Sequence, residues 1–230
     1  MRGKYYIGAA VVLAAGFLLA AFLLWPESGR AVEDAREAVE HGLPVDFEAL
    51  QAENEDIYAW LYIPGVGINE PLLQREGDSV YYLTHDDTGA ENAGGALFTE
   101  GAYNRKDFSD TATVIYGRNQ EGPFGRLQAS YSAPEDLREN GEIMIYLPEE
   151  AIRYQVFAAV PFRNYHLLHY FNFDNETRFR AFLQAVRSVR AVDANWREEA
   201  AAEPGDSLLI LSTNRFGNAE HSYLVLAKRL

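Results

Sequence analysis

The side chains that could do covalent chemistry are the hydroxyl groups of Ser212, Thr213 and Ser222, with His221 as the nearest imidazole in the sequence. A hydroxyl group becomes a nucleophile when an adjacent base accepts its proton, as in serine-type hydrolases. Adjacent residues of a strand point to opposite faces, so His221 and Ser222 are not expected to pair if a strand begins there. We therefore expect these hydroxyl groups to form hydrogen bonds with the backbone or with a bound peptide.

Cysteine is absent from the sequence. A thiolate nucleophile, a disulfide framework and a thiolate metal site are therefore excluded. Two histidines, His166 and His169, are three residues apart and could share a helical face, but their aromatic and leucine neighbours favour packing over a metal site. Asp86, Asp87 and Glu91 could surround a cation, although a solvated turn fits their spacing better. We predict no metal site and no cofactor.

Two further motifs have ordinary structural explanations. Asn175-Glu176-Thr177 matches a glycosylation sequon, but Asn is also a favoured residue at a helix start, which is the interpretation we prefer. Gly94-Gly95 is not followed by the Lys-Ser or Lys-Thr pair of a phosphate-binding loop.

The charge balance limits the classes of partner. The chain has 34 acidic and 20 basic residues and a formal net charge of −14. Such a surface repels phosphate groups, so binding of nucleic acid or of anionic lipid by the domain as a whole is disfavoured. High acidity also keeps a domain soluble, and this explanation stays open beside any partner preference.

The N-terminal segment has the pattern of a membrane anchor. Residues 7–25 form an unbroken run of apolar and small residues after Arg2 and Lys4. As a helix rising about 1.5 Å per residue, this run would be about 28 Å long, close to the hydrocarbon thickness of a bilayer. Because basic flanks stay in the cytoplasm, we predict a single-pass protein of the cell membrane with its C-terminal part outside.

A cleaved signal peptide is the competing interpretation of this segment. Signal peptides usually have a shorter apolar region that ends in small residues at a cleavage site. Here the run ends in Leu23-Leu24-Trp25-Pro26, which is a poor cleavage site and a plausible interfacial anchor. The predicted organisation is an anchor over residues 1–25, a linker and helix over 26–44, and one domain over 45–230.

The domain itself has the pattern of a mainly β protein with flanking helices. Residues 31–41 predict a polar helix, Asp46 can cap a second helix extending to about Trp60, and residues 176–189 predict a later helix. Short segments rich in aliphatic and aromatic residues predict eight strands, at 61–63, 68–74, 96–98, 112–116, 142–147, 152–160, 207–213 and 223–228. Eight strands with few helices predict a closed or nearly closed β-barrel.

Several segments, taken in order, resemble the class B sortase family over about residues 45–230. The segments that carry the resemblance are Asn54-Glu55-Asp56-Ile57-Tyr58-Ala59-Trp60, Ile63-Pro64-Gly65, Pro71-Leu72-Leu73-Gln74, Tyr81-Tyr82-Leu83, Gly95-Ala96-Leu97-Phe98, Val114-Ile115-Tyr116-Gly117, Leu209 to Thr213 and Leu224 to Leu230. The resemblance implies the eight-stranded sortase barrel with helices at its N-terminus and flank, in a Gram-positive-type cell envelope.

The chain departs from this family at the three catalytic positions. Where the family has Tyr-Gly-His-Asn, the chain has Arg118 in place of histidine, and where the family has Leu-Ser-Thr-Cys, it has Asn214 in place of cysteine. Counting back along the last strand, the catalytic arginine falls on Ser222. The resemblance therefore implies a sortase scaffold without the residues for thiol transpeptidation.

The substituted residues cannot perform the chemistry that the family uses. Asn214 carries an amide nitrogen whose lone pair is delocalised, so it is neither a nucleophile nor a leaving group. The pKa of an arginine lies above about 12, so Arg118 stays charged and exchanges no proton near neutral pH. Ser222 can donate one neutral hydrogen bond, whereas a guanidinium donor would typically stabilise an oxyanion by about 3 kcal/mol.

We therefore expect a pseudo-sortase whose cleft binds a sorting-signal-like peptide or a surface protein, or assists an active sortase. The cleft residues expected from the resemblance are Arg118, Asn119, Ser212, Thr213, Asn214, Arg215 and Ser222. Two arginines there would suit a carboxylate or an acidic peptide segment, unless each is paired with a nearby acid such as Glu121 or Glu220. The alternatives are a sortase-family hydrolase or transpeptidase with a serine or threonine nucleophile, and an altered form of an active sortase B.

Overall fold

The computed structural model describes residues 29–119 and 121–230. The predicted membrane anchor over residues 1–25 lies outside the described residues and stays a prediction. Within the part of the chain that is described, every helix is too short or too polar to cross a bilayer.

The described chain folds into one β-sheet with helices around it. The strands are β1 (Ile57–Ile63), β2 (Ile68–Leu73), β3 (Leu97–Phe98), β4 (Ala112–Tyr116), β5 (Glu142–Tyr146), β6 (Ala151–Arg163), β7 (Asn195–Trp196), β8 (Leu208–Arg215) and β9 (Asn218–Arg229). The helices are α1 (Arg30–Glu40), α2 (Phe47–Glu53), α3 (Leu127–Ser130), α4 (Asp136–Glu139), α5 (Leu167–Tyr170) and α6 (Glu176–Arg187), with short 3₁₀ turns at Tyr81–Leu83 and Glu198–Ala200.

Eight of the strands close into a barrel. The sheet order is β5-β1-β2-β3-β4-β8-β9-β6-β7, and an additional pairing of β5 with β6 completes the ring. All eight predicted strands are present, so the prediction of a barrel is confirmed. The sequence reading missed β7, a two-residue strand that pairs with β6 outside the ring; so short a segment shows no alternation of apolar and polar residues.

The side chains of each barrel strand alternate between two cores. On β8, Leu209 and Leu211 belong to a buried cluster that fills the barrel interior. Leu208 and Ile210 instead pack on the outer face with apolar residues of α6, among them Phe179 and Phe182. Since successive residues of a strand point to opposite faces, this assignment fixes the direction of the polar residues that follow on the same strand.

The N-terminal helices pack against the side of the barrel. The Asp46 side chain accepts a hydrogen bond from the backbone N–H of Ala49 at 3.0 Å, which confirms the predicted cap. The prediction that this helix continues to Trp60 is wrong, because α2 ends at Glu53 and Ile57 begins β1. Residues of β1 are buried on both of its faces, and β-branched and aromatic side chains in such a position favour a strand.

The later helix begins where the sequence indicates. The side chain of Asn175 accepts a hydrogen bond from the backbone N–H of Arg178 at 3.0 Å, so Asn175 caps α6. This confirms the helix-start interpretation of the Asn175-Glu176-Thr177 motif. The helix ends at Arg187, two residues before the predicted end.

The side chain of Asn104 completes the barrel where two strands barely meet. β3 pairs with β4 only between Phe98 and Tyr116, so the first residues of β4 lack a neighbouring strand on that side. The Asn104 amide nitrogen donates to the Ala112 carbonyl at 2.8 Å, and its oxygen accepts from the Val114 N–H at 3.0 Å. One buried side chain thus substitutes for the missing backbone partner.

We predict that Asn104→Ala lowers the free energy of unfolding by about 2–4 kcal/mol, because it leaves a buried N–H and a buried carbonyl without partners. Urea denaturation followed by circular dichroism measures this change. The neighbouring variant Arg105→Ala is the control, since that side chain is exposed and should change stability by no more than about 0.5 kcal/mol. Equal stability of the two variants would contradict the role assigned to Asn104.

Candidate functional site

The three substituted positions lie together at one end of the sheet. β4 and β8 run parallel, with Tyr116 opposite Ser212, so the residues that follow both strands emerge at the same edge. β8 and β9 are antiparallel, with Asn214 opposite Ser222. The pairings therefore bring Arg118, Asn214 and Ser222 to one region, as the sequence predicts.

A cavity of about 460 Å³ opens at this edge. Of the predicted cleft residues, it is lined by Arg118, Asn119, Asn214 and Arg215. Residues 216–218 of the β8–β9 turn complete the wall. Ser212, Thr213 and Ser222 do not line it, and all three are buried.

Arg118 presents a guanidinium group with no acidic partner. Its Nε donates a hydrogen bond of 2.7 Å to the Leu83 carbonyl, which fixes the direction of the half-buried side chain. Among the described residues, no carboxylate lies within ion-pair distance of Arg118, and Glu121 does not pair with it. Its terminal nitrogens are therefore available to a ligand in the cavity.

Arg215 is instead neutralised within the protein. Its terminal nitrogen lies 2.8 Å from Oδ1 of Asp193, and both side chains are largely buried. The partner is neither Glu121 nor Glu220, the nearby acids that the sequence suggested. Of the two alternatives that the sequence left open, Arg215 follows the one in which the arginine is paired with an acid, and Arg118 follows the one in which it is not.

Asp193 also holds the turn between β8 and β9. Its second oxygen accepts a hydrogen bond of 3.0 Å from the Gln128 amide, and Gln128 accepts one of 3.1 Å from the Phe216 backbone N–H. We call Arg215, Asp193, Gln128 and the Phe216 N–H the polar latch. Sequence reasoning missed Gln128 and Asp193, since both lie far from the turn in sequence and belong to no motif.

Asn119 connects the two strand ends across the cavity. Its amide nitrogen donates a hydrogen bond of 2.6 Å to the backbone carbonyl of Asn214. The Asn214 residue itself is exposed, so its amide group is accessible from the cavity. Both sides of the opening are thus held in place, one by Asn119 and the other by the polar latch.

The hydroxyl groups and His221 do not form a catalytic pair in this structure. Ser222 Oγ donates to the Asn164 side chain at 3.1 Å. Thr213 Oγ1 and His221 Nδ1 are buried and have no hydrogen-bond partner within the described residues. His221 and Ser222 are consecutive residues of β9, so their side chains point to opposite faces, as expected. The geometry therefore gives no support to a serine-type arrangement.

A second polar group is formed by residues that do not line this cavity. Nε2 of His166 is 2.9 Å from Oε2 of the buried Glu100; this is an ion-pair distance, although Oε2 accepts no hydrogen bond of good geometry. Burial, and then the negative charge of Glu100, raise the pKa of the Tyr116 hydroxyl well above its usual range. This tyrosine therefore stays neutral and does not act as a base near neutral pH.

The weaker candidates from the sequence have structural explanations. His166 caps α5, because its Nδ1 accepts a hydrogen bond from the His169 N–H at 3.1 Å. Asp86 organises a turn by accepting bonds from the N–H groups of Thr88 and Ala90. Burial raises the pKa of Asp86, but the hydrogen bond from the Thr88 hydroxyl, together with these backbone bonds, outweighs burial and lowers the pKa below its ordinary value. Within residues 29–119 and 121–230, no three histidine or acidic side chains gather as a metal site would require.

Comparison with known proteins relates the chain to class B sortases. No family model matches the sequence. Sortase B of Listeria monocytogenes is 36% identical over 72 residues, which are 31% of this chain and only 28% of that protein.

Solved structures extend the similarity to most of the described chain. The Staphylococcus aureus sortase B–substrate complex matches with a TM-score of 0.66 and 22% identity over 80% of this chain and 84% of that one. Clostridium perfringens sortase B matches with a TM-score of 0.66 and 19% identity over 80% of this chain and 100% of that one. A Streptococcus pyogenes class B sortase involved in pilus biogenesis matches with a TM-score of 0.65 and 19% identity over 81% of this chain and 98% of that one. The chain therefore has the class B sortase fold.

We predict that Asp193→Ala loosens the β8–β9 turn, because it leaves Arg215 without its counterion and Gln128 without its acceptor. The N–H of Phe216 should exchange with deuterium at least about tenfold faster, which corresponds to a local loss of about 1.4 kcal/mol. Hydrogen exchange measured by mass spectrometry tests this. Glu220→Ala, which removes the exposed acid near the same turn, is the control, and an equal effect of both variants would argue against the polar latch.

Proposed function

We propose that this chain, which has the class B sortase fold and no cysteine, is a membrane-anchored binding protein for peptides and not a cysteine transpeptidase. The proposal rests on the coincidence of two features. The scaffold that positions the catalytic residues of sortases is present, and each of the three side chains is replaced by one with different chemistry. Replacement at these positions removes the nucleophile, the proton carrier and the oxyanion donor together.

The loss of covalent chemistry follows from the residue at the end of β8. Transpeptidation requires an atom that attacks a carbonyl carbon, holds the acyl group and then leaves. The amide of Asn214 does none of these, since its lone pair is delocalised. Within the described residues, none of the hydroxyl groups of Ser212, Thr213 and Ser222 forms a hydrogen bond with an imidazole that could activate it in place of a thiol.

The guanidinium of Arg118 is the observation that carries the proposed binding activity. It lines the cavity, is directed by Leu83 and has no acidic partner among the described residues. On a protein with a net charge of −14, an uncompensated arginine in a cavity attracts a carboxylate specifically, because its paired N–H donors match the two oxygens. The exposed side chain of Phe216 lines the same cavity and offers an apolar contact.

The ligand class that fits this cavity is a peptide with a carboxylate beside an apolar side chain. A sorting-signal-like peptide, a surface protein or an active sortase could supply such a segment. The Staphylococcus aureus relative has been solved as a substrate complex, so a protein of this fold accommodates a ligand. We further propose that residues 1–25 anchor the domain at the outer face of the cell membrane, where such partners reside.

We predict that Arg118→Gln weakens the binding of acidic peptides roughly tenfold, because one charge-assisted hydrogen-bond pair is lost. The full chain in detergent is screened against fluorescein-labelled heptapeptides that differ in acidic residues and in a free or amidated C terminus. Fluorescence anisotropy then gives the affinity of the best binder. Arg190→Gln is the matched control, since Arg190 is exposed and its guanidinium donates to the nearby carbonyl groups of Arg187 and Val189.

The salt dependence of the same titration separates a carboxylate contact from apolar binding. Higher ionic strength should weaken binding to the natural chain more than to the Arg118→Gln variant, because salt screens the pair at the cavity mouth. Equal binding of acidic and amidated peptides, unaffected by the substitution, would refute the proposed ligand class.

We also predict that Arg118→His, Asn214→Cys and Ser222→Arg together restore a measurable peptide cleavage. Asn214 and Ser222 are cross-strand partners, so the new cysteine and arginine would have backbones about 5 Å apart. Mass spectrometry would detect the acyl adduct on the cysteine. The variant with only Arg118→His and Ser222→Arg is the control and should form none. Failure of the triple variant with every sorting peptide tried would count against the assignment of the cleft.

A further inference from the structure

Tyr170 offers a fixed and open aromatic surface on the connection between β6 and α6. Its ring is 61% exposed and stacks on Tyr165 with centroids 4.7 Å apart and an angle of 9° between the rings. The Tyr165 hydroxyl in turn accepts a hydrogen bond of 3.0 Å from Arg163. Phe171 also contacts the Tyr170 ring, with centroids 4.9 Å apart and an angle of 72° between the rings. The ring is therefore held by the protein while most of the residue stays exposed, so that a ligand can contact it at little entropic cost.

A cavity of about 550 Å³ lies beside this ring. Tyr103, which is 42% exposed and leans against His166, provides a second ring in its wall. Polar side chains supply most of the remaining lining, notably His169, Asn172, Asp174 and Arg178. A concave site with aromatic walls and several converging polar groups is the common form of a small-ligand site.

Some polar groups of this cavity are hydrogen-bonded within the protein, and others have no hydrogen-bond partner among the described residues. Asp174 accepts a hydrogen bond of 2.6 Å from the Thr111 hydroxyl with one oxygen, and Asn172 accepts one from the Asp174 N–H. These bonds hold the two side chains in place. Within the described residues, the amide nitrogen of Asn172 and the guanidinium of Arg178 form no hydrogen bond and no ion pair, so both can donate to a ligand.

We propose that this cavity binds a neutral saccharide. The C–H face of a sugar ring carries partial positive charge and fits the electron-rich face of Tyr170. The ring hydroxyl groups, each both donor and acceptor, match a lining that offers Asp174 as acceptor and Asn172 and Arg178 as donors. Charges of both signs border the cavity, which suits a neutral ligand better than an anion or a cation.

A proline-rich peptide is the competing ligand for an aromatic groove. Such peptides bind chiefly through apolar contacts between rings and leave few polar groups to be satisfied. Here the open donors and acceptors outnumber the two exposed rings, which favours the saccharide. The cavity is also separate from the Arg118 cavity. It borders Ala112 at the start of β4, whereas Arg118 follows the end of that strand. Along the strand, the two ends of β4 are about 13 Å apart.

Saccharide binding is tested with the full chain in a detergent that has no sugar headgroup. Soluble oligosaccharides of glucose, mannose and N-acetylglucosamine are titrated, and binding is measured by saturation-transfer NMR and calorimetry. We expect at least one of them to bind, Tyr170→Ala to weaken it roughly tenfold and Tyr170→Phe to retain it, because the ring face is what the sugar contacts. Val80→Ala, which removes an exposed apolar side chain outside the cavity, should leave the affinity unchanged.

Three results would overturn the proposal. The first is that none of the oligosaccharides binds, and the second is that Tyr170→Ala binds them as tightly as the natural chain. The third is that a proline-rich peptide binds in a manner that depends on Tyr170 while the saccharides do not. The test is independent of the Arg118 cavity, since Arg118→Gln should not alter the saccharide affinity.

Discussion

The parallel pairing of β4 with β8 is the constraint on which the candidate site depends. Parallel neighbours end at the same edge of a sheet, so the residues after β4 and those at the end of β8 meet without any contribution from loop sequence. The antiparallel return of β9 then places Ser222 beside Asn214. Any side chains at these positions would be brought together by the backbone, and the fold therefore persists when the chemistry at the site changes.

The charge of the cavity depends on whether each of its two arginines is paired with a carboxylate. Arg215 is held by Asp193 and becomes part of the framework, whereas Arg118 is oriented by a carbonyl group, which directs the side chain but does not cancel its charge. Of these two arginines, only Arg118 therefore keeps a charge that no described carboxylate neutralises. A single unpaired arginine in a cavity of an acidic protein is more selective than a diffuse basic patch, because it acts over a short range and requires a partner in one position.

Much of the fold could be predicted from the sequence, because local patterns determine it. The strands, the caps at Asp46 and Asn175 and the meeting of Arg118 with Asn214 follow from alternation, capping chemistry and the family resemblance. The end of α2 could not be placed, because the pattern of residues 54–60 fits either a helix or a strand. Only the structure shows that residues of β1 are buried on both faces of the strand. The partner of Arg215 was missed because Asp193 is 22 residues away in sequence, and long-range ion pairs leave no local signal.

The amide of Asn104 has a consequence for how the protein behaves in a crowded compartment. An unpaired strand edge is a template on which another chain can add its own strand, and natural sheets cover such edges to avoid self-association. By occupying the N–H of Val114 and the carbonyl of Ala112, this side chain covers the stretch of β4 that has no strand partner on that side. The residue that completes the barrel therefore also makes this strand edge unavailable for pairing with a strand of another chain.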